Sequence, residues 1–196
     1  MKFLVATNNA HKLVEIRKIM SELNIEVISL KESGIQIEVE ENGNTFEENS
    51  FIKSETVCKL SGFPTIADDS GITVEALGGE PGIYSARYGG KATDEERTAY
   101  LLSKMVGKEN RNAKFVCCIT CSFPNGDKIS ATGEVCGVVT DKPMGENGFG
   151  YDPIFYVEEY KQTMAEMPSD TKNKISHRAK ALEKFAEKIK EYLGEK

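Results

Sequence analysis

The chain has no run of apolar residues long enough to span a membrane, and the opening MKFLVATNN is too short an apolar stretch for a signal peptide. Residence in the cytoplasm is therefore expected. Positive charge is not in excess either, since 25 Lys and Arg stand against 31 Asp and Glu, for a formal net charge of −6. Binding to a nucleic-acid backbone depends on concentrated cations that release counterions, so that class of partner is excluded and any phosphate handled should belong to a small molecule. Five cysteines, an odd number, point to free thiols rather than a disulfide framework. There is no repeat, low-complexity tract or linker. With 39% apolar and 29% charged side chains, the 196 residues read as one soluble α/β domain, 1–196.

Familiar phosphate-handling signatures are missing too. TNNAHK (Thr7–Lys12) has no G-K-[ST] after a glycine-rich turn, so it is not a Walker A loop. The pair Asp68-Asp69 lacks the D-x-D-x-[TV] spacing of haloacid-dehalogenase-type phosphatases. GENGFGYDPIF (Gly145–Phe155) lacks the third glycine of a dinucleotide fingerprint.

What is present has the order of an α/β fold. KFLVAT is a short strand, and Leu13, Ile16, Met20 and Leu23 then share one helical face. NIEVISLKE and IQIEVEENG read as strands or extended segments. TFEENSFIKSETVCKLSG predicts a helix with Thr45 as N-cap, Gly62 as stop, and a loose apolar stripe of Phe46, Phe51, Val57 and Leu60. TIADDSGITVEAL predicts two short strands around the acidic tripeptide. A further helix begins at Thr93 or Asp94, and KFVCCITCSF and KISATGEVCGVV form a hairpin across Asn125-Gly126. Cys118 and Cys121 make a C-x-x-C spacing, but Phe115, Cys117, Ile119 and Cys121 alternate as a strand face, and cysteine packs as a small hydrophobe. A last helix spans about Ser176 to Leu193.

Four stretches carry chemistry. Thr7–Lys12 sits between the first strand and first helix, where backbone N–H groups and the dipole make an anion site; an Asn-rich helix cap is the plain alternative. Asp68 and Asp69 end an apolar run, where adjacent carboxylates repel unless a cation sits between them, and hard oxygens suit Mg²⁺. The acidic run Glu38, Glu40 and Glu41 offers a further ligand. Phe149 and Tyr151 among glycines make a shelf on which a base can stack, a contact worth ~1–3 kcal/mol. Lys172, Lys174, His177 and Arg178 cluster before and within the first turn of the last helix, where the macrodipole disfavours cations by ~0.3–1 kcal/mol each unless an anion is bound.

Together these are the parts of a nucleoside triphosphate site. In TNNAHK, EENGNTFEENS, ADDSGITVEALGGEPGIYSARYGG, GFGYDPIF and KNKISHR, taken in order, the chain resembles the Ham1/inosine triphosphatase family of nucleotide pyrophosphatases. The resemblance implies an elongated mixed β-sheet flanked by helices, in two lobes with a central cleft, assembled as a homodimer. It implies hydrolysis of non-standard purine nucleoside triphosphates (ITP, dITP, XTP) to the monophosphate and pyrophosphate. Thr7, Asn8, Asn9, Ala10, His11 and Lys12 would hold the phosphates, Asp69 would be general base and metal ligand, and Glu40 and Asp68 would support Mg²⁺. Ser70 would touch the nucleotide, Phe149 would stack on the base, and Gly150, Tyr151 and Asp152 would shape the pocket, while Lys172, His177 and Arg178 would read the base. A Maf-like pyrophosphatase of modified nucleotides and a nucleotide-binding module without turnover are the competing expectations.

Overall fold

The computed structural model describes residues 2–7 and 9–194, with Ala10 and His11 described by their backbone only. The elements in chain order are β1 (Lys2–Val5), α1 (Ala10–Glu22), β2 (Glu26–Ser29), α2 (Phe46–Ser61), β3 (Thr65–Val74), α3 (Asp94–Lys104), β4 (Asn112–Ser122), β5 (Lys128–Val139), β6 (Phe155–Val157), β7 (Gln162–Thr163), α4 (Ser169–Ile175) and α5 (His177–Leu193). Seven strands form one sheet in the order β2-β1-β3-β4-β5-β6-β7. It is mixed: β1 runs parallel to β2 and β3, and β6 runs antiparallel to β5 and β7.

The chain divides into two compact units. The first holds residues up to Asp69, Cys117–Gly133 and the chain from Lys180; the second holds Ser70–Val116 and Glu134–Ala179. Each has its own core. In the first, Phe3, Val5 and Ile66 meet Ile16 and Met20 of α1 and Leu182, Phe185 and Ile189 of α5. Burying each such side chain contributes about 1.5–3 kcal/mol, so the helical stripe read from the sequence is what fixes α1 and α5. In the second, Ile72, Leu101, Phe115, Phe155 and Met167 form the centre.

Several local expectations hold. Thr45 caps α2 by accepting from the Glu48 N–H, and Gly62 ends it at φ 72° in the left-handed region that glycine adopts without strain. Asn125-Gly126 lies in the turn between β4 and β5, with Gly126 at φ 94°. Cys117, Cys118 and Cys121 are buried free thiols.

Two expectations are corrected, and a third, strand or extended segment for residues 35–43, is resolved as extended. Thr65–Val74 is one continuous strand rather than two short ones, because Asp68, Asp69 and Ser70 keep extended geometry. Residues 35–43 form no strand; Ile35, Ile37 and Val39 instead pack as an extended segment against Leu4, Ala6, Val57 and Ala67. The buried face of α2 is not the aromatic stripe. Leu60 is 61% exposed, and the face turned inward is Asn49, Ser50, Ser54, Val57 and Cys58. That polar face is buried at low cost because its hydroxyls are satisfied by the sheet: Ser50 bonds the Ala67 carbonyl and Thr120, Ser54 bonds Thr120 and Ser122, all within 2.8–3.1 Å.

Candidate active site

In the first unit the site is built on β3. Side chains of a strand alternate between faces, so the consecutive carboxylates Asp68 and Asp69, 2% and 8% exposed, point to opposite sides of the sheet. Each meets its own lysine. Asp68 Oδ2 lies 2.6 Å from Lys12 Nζ at the start of α1, and Asp69 Oδ1 lies 3.8 Å from Lys53 Nζ on α2. Strand alternation thus separates the adjacent carboxylates, and an ammonium group lies against each.

Lys53 Nζ is also 3.0 Å from Glu41 Oε1. Asn49, one turn before Lys53 and fully buried, donates from its side chain to Asp69 Oδ2 at 3.3 Å and accepts from the Gly43 N–H at 2.8 Å. Asn49 therefore ties the loop that carries Glu41 to β3. Burial pushes the Asp69 carboxyl above its ordinary value; Lys53 opposes this, Glu41 adds to it, and the Asn49 hydrogen bond opposes it. A buried carboxylate perturbed in this way, among cations, is the setting of a general base.

The loop before α1 supplies donors. The Asn9 side chain accepts from the Lys12 N–H at 3.2 Å, and the Asn9 N–H donates to Thr7 Oγ1 at 3.2 Å. Asn9 is thus the cap of α1, so the cap reading and the anion reading share one residue. Asn8 and the side chains of Ala10 and His11 lie outside the described residues. Ser70, the next residue of β3 and the first of the second unit, is half-buried.

The sequence reading missed Asn49, Lys53 and the part played by Glu41. Glu40, singled out there, is exposed, while Glu41 is the acidic neighbour that acts on Asp69. The available signal was on α2: Asn49 and Lys53 are four residues apart and share a face with Ser50, Ser54 and Val57, which helical spacing marks as inward. The donor set suits a hard cation, since two carboxylates from different elements converge on Lys53 Nζ. Among the described residues no group of three or more His, Cys, Asp or Glu is arranged to hold a metal. Mg²⁺ does not need one, because it is usually bound through one or two carboxylates with waters and substrate phosphates.

The second unit carries the aromatic shelf. Phe149 is 49% exposed and Tyr151 is buried, so the two rings diverge across Gly150, which sits at φ 61°. Asp152, 4% exposed, accepts from the Phe149 N–H at 2.8 Å and from Lys172 Nζ at 2.5 Å, and that ammonium lies 4.8 Å from the Phe149 ring centroid. A Cβ on Gly148 would collide with the Asp152 carboxylate. His177 stacks on Phe115 with centroids 4.9 Å apart, and Arg178 is buried. The charge conflict read from the sequence is half removed. Lys172 and Lys174 belong to the last turn of α4, where cations are favoured, and only His177 and Arg178 open α5, which Ser176 caps by accepting from the Ala179 N–H.

A model of the Ham1 family matches residues 3–188. This chain belongs to the Ham1 family. A dITP/XTP pyrophosphatase of Clostridium perfringens is 47% identical, over 98% of both chains, and one of Thermus thermophilus is 45% identical, over 97% of this chain and 93% of that one. Among solved structures, the Staphylococcus aureus Ham1 protein superposes with a TM-score of 0.93 at 41% identity, over 98% of this chain and all of that one. The Ham1 resemblance and the mixed, helix-flanked sheet that it implied are both borne out.

Proposed function

We propose that this Ham1 chain hydrolyses non-standard purine nucleoside triphosphates, dITP, XTP and ITP, to the monophosphate and pyrophosphate; its relatives are named dITP/XTP pyrophosphatases. The observation that carries the reading is Asp69: a buried carboxylate, held above its ordinary value by burial, hydrogen-bonded by Asn49 and flanked by Lys53 and Glu41. Residues of the first unit are assigned the triphosphate. Lys12 and the Thr7–Asn9 loop supply charge and donors for phosphate oxygens, and Asp69 orients and deprotonates the water that attacks the α-phosphorus. Pyrophosphate then leaves.

Glu41 and Asp69 would hold Mg²⁺, with Asp68 and Glu40 as the further acidic residues nearby in sequence. When bound, the ion neutralises triphosphate charge and polarises the α-phosphoryl group. Residues of the second unit are assigned the base: Phe149 stacks on it, and Lys172, His177 and Arg178 read its edge. Hypoxanthine and xanthine present a 6-oxo acceptor where adenine presents an amino donor, so cationic donors there would leave adenine mismatched. No described helix is long and apolar enough to cross a membrane. We further propose a cytoplasmic enzyme, and a homodimer as the Ham1 resemblance implies.

The test is a product assay on ITP, XTP, dITP, ATP, GTP and CTP, with Mg²⁺ and with chelator, that separates pyrophosphate from orthophosphate. Mg²⁺-dependent pyrophosphate release confined mainly to ITP, dITP and XTP is expected. Orthophosphate release, or preference for the pyrimidine CTP, would replace this reading with another phosphohydrolase; no turnover at all would make the chain a nucleotide-binding module.

A further inference from the structure

Phe149 keeps half its surface in water, so its direction rests on the Lys172 ammonium beside its ring and on the backbone that carries it. That backbone is gripped at the next residue by α3. The Gly150 N–H donates to Asp94 Oδ2 at 2.7 Å, and the Gly150 carbonyl accepts from Thr98 Oγ1 at 3.3 Å. Asp94 and Thr98 are four residues apart at the start of α3 and so share one face of the helix, spaced to hold both polar groups of one residue.

The grip is itself held. The second oxygen of Asp94 pairs with Arg97, whose guanidinium also donates to the carbonyls of Lys91 and Ala92 at 3.0 and 2.9 Å. The helix start is locked by a capping box between Thr93 and Glu96. Thr98 is 5% exposed, which spares its hydroxyl competition from water. On the far side of Gly150, the Tyr151 hydroxyl donates to the Ser85 carbonyl at 2.8 Å. Gly150 has φ 61°, a left-handed turn that sends residues 149 and 151 in different directions, so a small rotation of its peptide groups swings the Phe149 ring.

We propose that Asp94 and Thr98 are positioning residues for base recognition: they clamp Gly150, and through it aim Phe149 at the base, without touching the substrate themselves. The proposal rests on the assignment of Phe149 to the base. It makes the first turns of α3 a determinant of how well the enzyme holds a purine, separate from how well it holds phosphate. Thr98→Val keeps the shape and removes the donor. Thr98→Ser restores it. Asp94→Ala, at a more exposed position, removes the other half of the clamp.

The experiment is calorimetric titration of the full chain and each variant with inosine monophosphate, which carries the base, and with pyrophosphate, which does not. Wild type should bind both. Thr98→Val and Asp94→Ala should weaken the monophosphate by about tenfold, the effect of one lost hydrogen bond, with pyrophosphate affinity unchanged and Thr98→Ser close to wild type. In steady-state assays with ITP the same two variants should raise KM and leave kcat near its original value. Equal monophosphate affinity in wild type and both variants, or parallel loss of both ligands, overturns the proposal. If Thr98→Val does not fold, Asp94→Ala decides it alone. Failure of wild type itself to bind the monophosphate while binding pyrophosphate overturns the base assignment first, and the clamp with it.

Discussion

Lys12 Nζ stands 2.6 Å from Asp68 Oδ2, with the Asp68 side chain 1% and the Lys12 side chain 18% exposed. Breaking a buried pair from one side leaves a charge in a poor solvent, at a cost of ~3–5 kcal/mol. Lys12→Met should therefore lower unfolding free energy by about 3 kcal/mol. Adding Asp68→Asn in the same chain should recover much of it. Urea unfolding of the two single variants and the double variant measures this, and strictly additive losses would mean the two side chains are not coupled.

Asn49 joins Gly43 to Asp69, and its truncation takes a hydrogen bond from each. Asn49→Ala should cost about 1–3 kcal/mol of stability and, by loosening the base, lower kcat by roughly tenfold or more. Asn49→Asp should do worse, since it sets a second carboxylate against Asp69. The pair of kcat values, measured at saturating substrate, distinguishes loss of orientation from charge repulsion.

Two glycines of the shelf should respond differently to a methyl group. Gly148 has φ 82°, and its added Cβ would collide with Asp152 and lie 2.9 Å from Lys172 Nζ. Gly150 has φ 61° but open space around the same position. Gly150→Ala should cost only left-handed backbone strain, about 1–2 kcal/mol. Gly148→Ala should also break the Asp152–Lys172 contact and raise KM for ITP much more than its melting temperature falls. Equal effects of the two would mean that Asp152 and Lys172 are not part of base binding.

Alkaline pH should unfold the protein by a defined route. Burial raises the Cys118 thiol to about 11 from 9.0, and the Tyr151 hydroxyl to about 12 from 10.0. A group that holds its proton more tightly when folded adds stability that is whole below the unfolded pKa and lost as pH rises toward the folded one. The melting temperature should therefore fall progressively between pH 9 and pH 12. At neutral pH a thiol reagent should modify the exposed Cys136 quickly, and the buried Cys58, Cys117, Cys118 and Cys121 only after unfolding. Rapid reaction of more than one thiol in the native state would contradict this burial.

Much of the fold was legible because local rules and tertiary needs agreed. The stripe Ile16, Met20 and Leu23, the Thr45 and Gly62 caps and the Asn125-Gly126 turn each had one physical solution. Asp68 and Asp69 were recognisable as chemistry because apolar strands seldom carry adjacent carboxylates, yet their division between two faces follows from strand continuity, which the Ser-Gly step after them obscured. Asn49 and Lys53 were hidden for another reason. On α2 the aromatic residues mark a face that is partly exposed, whereas the inward face is polar, and its serines meet Ala67, Thr120 and Ser122, partners distant in the chain. The Asp94–Thr98 clamp is likewise invisible until α3 is set beside Gly150, more than fifty residues later in the chain.

The core of the first unit is assembled from three separated stretches, and its wall of Leu182, Phe185 and Ile189 comes from α5. During synthesis that helix leaves the ribosome after every other element described. The acidic strand and the lysines around it must therefore wait, with Phe3 and Ile66 uncovered, until the last seventeen-residue helix has arrived. Any nascent chain stalled before α5 exposes an apolar sheet face, the kind of surface that makes folding intermediates prone to aggregate.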